Sequence, residues 1–135
     1  MNATELEKKY LERVNRSGSL LLLPASDAVE LLDDLTEANA RFLGVEAFRL
    51  FDDGGVQPAM EFSNISFGQI EEKDGELKLK SFRRDLRSGW KNDPDALTRT
   101  KDLIQEGQAS GYDWYEVSIE DPDTGELLFF RTFEK

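Results

Sequence analysis

The side chains that could do chemistry in this chain are almost all carboxylates. Its 135 residues include 28 Asp and Glu but no histidine and no cysteine. Ser-His-Asp and Cys-His nucleophile systems are therefore excluded, because both need an imidazole base. Paired carboxylates suffice for glycoside hydrolysis, but so acidic a chain offers such pairs by chance. The sequence predicts no catalytic residue, no cofactor and a protein that is not an enzyme.

Two acidic turns have the composition of calcium loops. They are residues 52–54 (Asp-Asp-Gly) and residues 121–126 (Asp-Pro-Asp-Thr-Gly-Glu). Neither has the closing glutamate that a calcium loop carries at its twelfth position. Gly54 and Gly55 lack the helix and the Lys-Ser/Thr pair that follow a phosphate-binding loop. Hairpin turns explain both segments better, so no metal site is predicted.

The chain is strongly acidic, and its charge is unevenly distributed. The formal net charge is −11, from 17 basic and 28 acidic residues. Residues 1–72 carry 6 basic and 14 acidic side chains, residues 73–101 carry 9 and 5, and residues 102–135 carry 2 and 9. Such a chain repels nucleic acid and anionic membranes, so the predicted partner is a protein with a basic surface. Acidity that serves only solubility is the alternative.

The middle of the chain holds a basic segment with aromatic residues in it. Its members are Lys78, Lys80, Phe82, Arg83, Arg84, Arg87, Trp90 and Lys91. Basic and aromatic side chains together can bind a single nucleic-acid strand. The surrounding negative charge favours the other hypothesis, in which this segment pairs with the acidic remainder of the chain. The spacing of its apolar residues also permits a short helix over residues 83–92.

The expected location is the cytoplasm. No apolar run approaches the roughly 18 residues that a membrane-spanning helix needs. The first 16 residues are highly charged and lack the apolar core of a secretion signal. The lack of cysteine agrees with a reducing compartment.

A predicted hairpin lies at the centre of the chain. Residues 44–51 alternate β-favouring and other side chains, residues 52–55 suit a tight turn, and residues 56–62 return as a strand. Pro58 has no backbone donor, so we expect it at an unpaired edge or at the start of the pairing. The return continues to residue 68 with broken alternation, which indicates a bulge.

Three amphipathic helices are predicted from apolar side chains at every third or fourth position. They cover residues 5–15, 27–41 and 94–109. The first begins with a capping box of Thr4 and Glu7, and Asp27 offers a cap for the second. Gly44 and Gly111 follow the second and third helices as stop signals.

The remaining periodic segments are predicted strands. They are residues 20–23, 77–82, 113–120 and 127–133, the last two forming a hairpin around the turn at 121–126. After the leading helix, the core order is strand, helix, strand, strand, helix, strand, strand. This order predicts a single α+β domain with helices on one face of a mostly antiparallel sheet. The predicted arrangement is a ferredoxin-like split β-α-β variant with an extra N-terminal helix.

The central hairpin resembles a family of bacterial immunity proteins. The similar segments are residues 44–50 (Gly-Val-Glu-Ala-Phe-Arg-Leu), residues 55–61 (Gly-Val-Gln-Pro-Ala-Met-Glu), the helix over 28–40 and residues 114–117 (Trp-Tyr-Glu-Val). Members of that family are small acidic antitoxins encoded beside polymorphic toxins. The resemblance implies a protein that binds a cognate toxin and blocks it by occlusion, and it implies no catalytic residues.

A second class of function stays open beside this one. The chain has 9 Phe, 3 Tyr and 2 Trp. Some of these aromatic side chains could line a pocket, as in a small-ligand-binding or regulatory α+β domain. A simple hydrophobic core would use the same residues.

The predicted contact surface is the acidic C-terminal hairpin. Residues 113–126 hold six acidic side chains and no basic one. If the odd-numbered residues 115–119 point into the core, the tryptophan before them points outward. An outward tryptophan among carboxylates has the composition of an interface anchor, unless a third layer such as the first helix covers it. The candidate partner-binding residues are Trp114, Glu116, Glu120, Asp121 and Asp123.

Overall fold

A computed structural model describes residues 1–65, 68–81 and 94–133 of the chain. Its helices are α1 (Ala3–Tyr10), α2 (Ala25–Leu35), α3 (Pro94–Ala109) and α4 (Phe130–Phe133). Its strands are β1 (Asn15–Ser17), β2 (Leu20–Pro24), β3 (Arg41–Leu50), β4 (Val56–Ile65), β5 (Gly68–Lys73), β6 (Glu76–Ser81) and β7 (Trp114–Glu120). The hypotheses for the basic segment and for a helix over 83–92 depend on side chains and backbone outside the described residues.

The strands form one sheet in the order β1-β2-β7-β3-β4-β5-β6. The described neighbouring pairs are antiparallel. Helix α2 connects β2 to β3, and these two strands lie on either side of β7. This part of the chain is therefore a split β-α-β unit, and the predicted α+β class with a mostly antiparallel sheet is confirmed.

The rest of the strand order departs from the predicted ferredoxin-like arrangement, in which a second split unit would interleave with the first. Here α3 connects β6, at one edge of the sheet, to β7, and three strands lie between them. Strands β3 to β6 add outward one after another, because each short connection pairs a strand with its predecessor. The last strand, β7, therefore takes the interior position between β2 and β3.

Helices α2 and α3 lie on the same side of the sheet, as predicted. Helix α2 contacts β2 and β7, α3 contacts β3 and β4, and the two helices contact each other. The Lys101 ammonium on α3 lies 2.6 Å from Asp33 Oδ1 on α2. The buried Tyr115 hydroxyl on β7 lies 3.0 Å from the Ile104 carbonyl of α3 and 2.8 Å from the Tyr112 carbonyl, and both are acceptors for its hydrogen. The central strand is thus tied to the helical layer by a polar contact as well as by packing.

Helix α2 supplies the centre of the core. Leu31, Leu32 and Leu35 are fully buried, as their spacing predicts. The helix begins at Ala25 without a side-chain cap, and Asp27 pairs with an arginine of the preceding segment instead. The predicted N-terminal cap is therefore wrong.

The predicted end of α2 is also wrong, because the helix stops at Leu35 rather than near residue 41. Thr36 turns the chain by donating from its hydroxyl to the Asp33 carbonyl at 2.8 Å. Phe42 is buried, but it lies in β3 opposite Ile119 of β7. A position that matches the helical apolar stripe also matches the buried face of a strand, so the spacing alone does not locate the boundary.

Helix α1 begins two residues earlier than predicted. Asn2 is its N-cap, and its side chain and that of Glu5 form the capping box. Glu7, which was predicted to belong to that box, is buried against the C-terminal segment instead. The predicted helix over 5–15 ends at Tyr10 and continues as a single 3-10 turn to Arg13.

The predicted return strand over 127–133 is wrong. Only Leu127 bridges to Glu120, and α4 follows at residues 130–133. Strand β3 pairs along one side of β7, and β2 pairs with residues 114–115 on the other side. Leu128 and Phe129 are buried, so the segment closes over the core as a turn and a short helix.

The central hairpin is confirmed. Strands β3 and β4 meet at a turn in which Phe51 N–H donates to the Gly55 carbonyl at 2.9 Å. The expected bulge lies opposite residues 45–47, where the Ser63 hydroxyl donates to the Ala59 carbonyl and accepts from Ala47 N–H. The start of α3 at Pro94 and its stop near residue 111 also agree with prediction.

Truncation of the helical stripe should be costly. Leu35→Ala removes a fully buried side chain, so we expect the free energy of unfolding to fall by roughly 2–5 kcal/mol. Denaturant unfolding measures this change. A loss below about 0.5 kcal/mol would show that α2 does not supply the core.

Gly107 on α3 should be needed to seat Tyr115. A Cβ at this position would lie 2.3 Å from the Tyr115 hydroxyl oxygen. We expect Gly107→Ala to lower the free energy of unfolding by roughly 1–3 kcal/mol, because the hydroxyl would have to move. In a Tyr115→Phe background the same change should cost less, since the clashing oxygen is gone. Equal costs in both backgrounds, measured by a double-mutant cycle, would contradict this explanation.

Candidate partner-binding surface

Trp114 lies on the face of the sheet opposite α2 and α3, which we call the distal face. Burial alternates along β7, with residues 115, 117 and 119 buried and Trp114 half-buried. The prediction that Trp114 points away from the helical core is therefore confirmed. Helix α1 packs against α2, on the helical side of the sheet. It does not form the third layer that would cover Trp114.

The cross-strand register places further apolar residues beside Trp114. Phe48 of β3 lies opposite Trp114 on one side and Pro58 of β4 on the other. Leu50 and Val56 are the next distal pair toward the hairpin turn. These five residues, Trp114, Phe48, Pro58, Leu50 and Val56, form what we call the apolar strip.

The apolar strip is covered at its centre and open at its end. Phe48 is 5% exposed, Trp114 and Leu50 are half-buried, and Pro58 is exposed. Val56 is 39% exposed, although it is a large hydrophobic residue. Pro58 lies where no described strand pairs with the outer edge of β4, as predicted from its missing donor. An exposed apolar patch on a charged protein is typical of an interaction surface.

Carboxylates flank the apolar strip on both sides. Glu46 of β3 and Glu116 of β7 lie directly opposite each other across the strands. Asp52 and Asp53 are exposed at the hairpin turn beyond the other end. Like charges directly opposite each other destabilise a sheet, so the Glu46–Glu116 pair does not help the fold.

The environment of Glu116 is electrostatically unfavourable. Burial is the main cause that raises the pKa of its carboxyl group, and the charge of Glu46 raises it further. The backbone N–H of Leu21 donates to Glu116 Oε2 at 3.2 Å and opposes this shift in the pKa. No described residue donates a hydrogen bond to the carboxylate of Glu46.

The other predicted contact residues have different environments. Glu120 accepts from the Arg41 guanidinium at 2.8 Å and is half-buried. Asp121 is only 6% exposed, contrary to the expectation of a surface contact residue. Asp123 is exposed, and its backbone N–H donates to the Asp121 carboxylate. Within the predicted acidic turn, Asp121 therefore stabilises the fold and Asp123 stays exposed.

The partner of Asp121 is Arg131, in a buried ion-pair network that also contains Glu7. Arg131 Nη1 donates to Asp121 Oδ2 at 2.9 Å, and Nη2 donates to Glu7 Oε1 at 3.2 Å. Glu7 also accepts from Phe129 N–H at 2.6 Å. The Arg131 guanidinium lowers the pKa of the Asp121 carboxyl group. The network joins α1, the turn after β7 and α4.

Sequence patterns did not reveal this network, because its members are up to 124 residues apart. The sequence feature that points to the network is the scarcity of basic residues near the C-terminus, because Arg131 is one of only two among residues 102–135. The apolar strip was missed for a different reason. Residues 48, 50, 56 and 58 were assigned to strands, but their shared face depends on which strands pair.

A surface cleft of about 420 Å³ lies beside the ion-pair network and bears on the ligand-binding hypothesis. It is lined by Thr4, Glu7, Glu126, Arg131 and Thr132. Glu7 and Arg131 already satisfy each other, and the lining contains no aromatic side chain. Among the described residues, no group of three or more acidic side chains is placed to hold a metal ion.

Comparisons with known proteins found no match, whether with protein-family profiles, with curated proteins or with solved structures. Within the described part of the chain, no helix has the length and apolar character needed to cross a membrane.

Loss of Arg131 should destabilise the protein strongly. Arg131→Met leaves two carboxylates buried without their cation, so we expect the free energy of unfolding to fall by about 3 kcal/mol. Arg13→Met is the control, because Arg13 pairs with carboxylates at an exposed site and should change the unfolding midpoint little. Similar midpoints for both variants would show that the network is not needed.

The same network predicts a pH dependence. The pKa of Asp121 is lowered in the folded protein, so its stabilising effect is complete well above the ordinary Asp value near 3.9. The effect is lost as the pH falls toward the lowered pKa of the folded state. The difference in unfolding free energy between the natural protein and Asp121→Asn should thus be constant near pH 7 and shrink below about pH 5. Unfolding curves at several pH values test this, and a difference that grows on acidification would contradict it.

Proposed function

We propose that this protein is an acidic immunity protein, which binds a cognate bacterial toxin and neutralises it by occlusion. The supporting observation is the surface around Trp114, where a half-buried tryptophan lies in an apolar strip with carboxylates on both sides. Aromatic anchors surrounded by charged residues are typical of tight protein interfaces. The proposal assigns no reaction to the chain itself, and it takes the cytoplasm as the place of action.

The net charge supports a basic partner. At −11, the chain attracts basic surfaces over distances of about one Debye length, roughly 8 Å at physiological salt. A toxin that acts on nucleic acid has a basic active site, because the site must hold phosphates. An acidic protein placed over such a site both competes with the substrate and associates rapidly.

Contact with the toxin is assigned to the residues of the predicted set that are at least partly exposed. Trp114 is the anchor, Glu116 and Asp123 supply negative charge, and Glu120 contributes through its exposed fraction. Asp121 holds Arg131 and is not part of the contact. The small-ligand alternative gains no support from the cleft beside α4, in which Glu7 and Arg131 already pair with each other.

The proposal is tested by co-expression with the product of the neighbouring gene. If that product arrests growth alone, the natural chain should restore growth and co-purify with it. Trp114→Ala should remain folded, since the side chain is half-buried on the distal face, yet weaken the complex by roughly 2 kcal/mol, or about 30-fold.

Leu103→Ala is the matched control, because Leu103 is also a half-buried apolar side chain but belongs to α3, on the helical side of the sheet. It should leave the dissociation constant within about twofold, a difference of roughly 0.4 kcal/mol. Neighbouring products that are harmless, or whose toxicity the natural chain does not reduce, would overturn the proposed function.

A further inference from the structure

The pair of opposed carboxylates on the distal face has no counter-ion in the described part of the chain. Glu46 and Glu116 occupy directly opposite positions on β3 and β7. Each is half-buried, so solvent screens their repulsion less than on an open surface. The neighbouring pair along the same two strands is Phe48 and Trp114. A negative site therefore lies directly beside an apolar one.

Few classes of occupant suit both sites at once. Nucleic acid and anionic lipid would add negative charge to the two carboxylates. A second copy of this chain carries the same net charge of −11 and would place two more carboxylates against them. An apolar small molecule would cover Trp114 but bury Glu46 and Glu116 without a partner. A basic polypeptide satisfies both sites.

The geometry limits this polypeptide further. Side chains two residues apart on one face of a strand are separated by roughly 7 Å, which is the distance from the carboxylate pair to the Phe48–Trp114 pair. An extended segment of a partner repeats this spacing at positions i and i+2. Arginine suits the carboxylate pair better than lysine, because its planar guanidinium donates to two acceptors at once.

We propose that the distal face docks an extended basic segment of a protein partner, with an arginine between Glu46 and Glu116 and an apolar side chain two residues away on Trp114. This deepens the proposed function, on which it rests for the identification of the natural partner as a toxin. The arginine replaces the repulsion between the carboxylates with two charge-assisted hydrogen bonds. The apolar side chain completes the burial of Trp114.

The surface can be tested without the natural partner. The full chain is used to select from a random dodecapeptide library, and the enriched peptides are synthesised for calorimetric titration. We expect enrichment of peptides in which arginine stands two positions from an apolar residue. The dissociation constant should rise at least tenfold with Glu46→Gln, with Trp114→Ala, or when lysine replaces that arginine.

Glu37→Gln is the control for general charge attraction. Glu37 is exposed just beyond α2, on the helical side of the sheet, and the change removes the same charge. It should leave the dissociation constant within about twofold. The docking surface would be overturned if Glu37→Gln and Glu46→Gln raised the dissociation constant equally. It would also be overturned if the enriched peptides showed no preference for arginine two positions from an apolar residue.

The stability of the free protein gives a second test, because Glu46→Gln should change stability and peptide affinity in opposite directions. Glu46→Gln removes the repulsion across the strands, so the denaturation midpoint should rise while peptide affinity falls. A residue with a structural role would lower the midpoint instead, and that result would also overturn the proposal. Glu116→Gln is the second variant, since its amide oxygen can still accept from Leu21 N–H.

The outcomes separate this proposal from the proposed function. Selected peptides that depend on Glu46 and Trp114 establish the surface, whatever the neighbouring gene encodes. A toxin that the natural chain neutralises, together with selected peptides that bind Glu46→Gln as tightly as the natural chain, would leave the immunity function intact and overturn the surface.

Discussion

The position of β7 is the constraint on which the rest of the structure depends. This late strand lies between β2 and β3 and pairs with both, so it closes the split β-α-β unit that the first half of the chain leaves open. Its buried Tyr115 also reaches α3 through the Ile104 carbonyl, and Gly107 leaves the space for the hydroxyl. Burial raises the pKa of Tyr115 to about 12, so it stays a neutral donor. Strand β7 therefore joins two neighbouring strands and also contacts the helical layer.

Because side chains alternate along a strand, β7 contributes to two different surfaces. One set of residues completes the core beneath α2 and α3. The other set presents Trp114 and Glu116 on the distal face, beside the matching residues of β3. The rigidity of the central strand thereby fixes the spacing between the apolar strip and the carboxylate pair. Such fixed spacing favours recognition of one partner, since less conformational entropy is lost on binding.

Sequence patterns predicted the elements whose signals are local. The stripe of Leu31, Leu32 and Leu35, the central hairpin and the Pro94 start of α3 all arise from residues a few positions apart. Pairings between distant segments could not be predicted in this way. The return strand over 127–133 was a reasonable continuation of alternation, but Leu128 and Phe129 turn into the core and the chain continues as α4. The same limit applies to the proposed contact surface. Trp114 was predicted from the alternation of its own strand, whereas Glu46 and Phe48 join it only through the register between β3 and β7.

The late position of β7 also bears on how the protein folds. Until residues 114–120 have been synthesised, β2 and β3 lack the strand that separates them, and their edges stay open. At roughly 5–20 residues per second, a ribosome leaves this intermediate exposed for several seconds. Pairings between such distant segments also slow the folding of a completed chain. The entropy of closing the long loop is lost before the stabilising contacts form. Until β7 is in place, the open edges of β2 and β3 are templates on which another chain can pair.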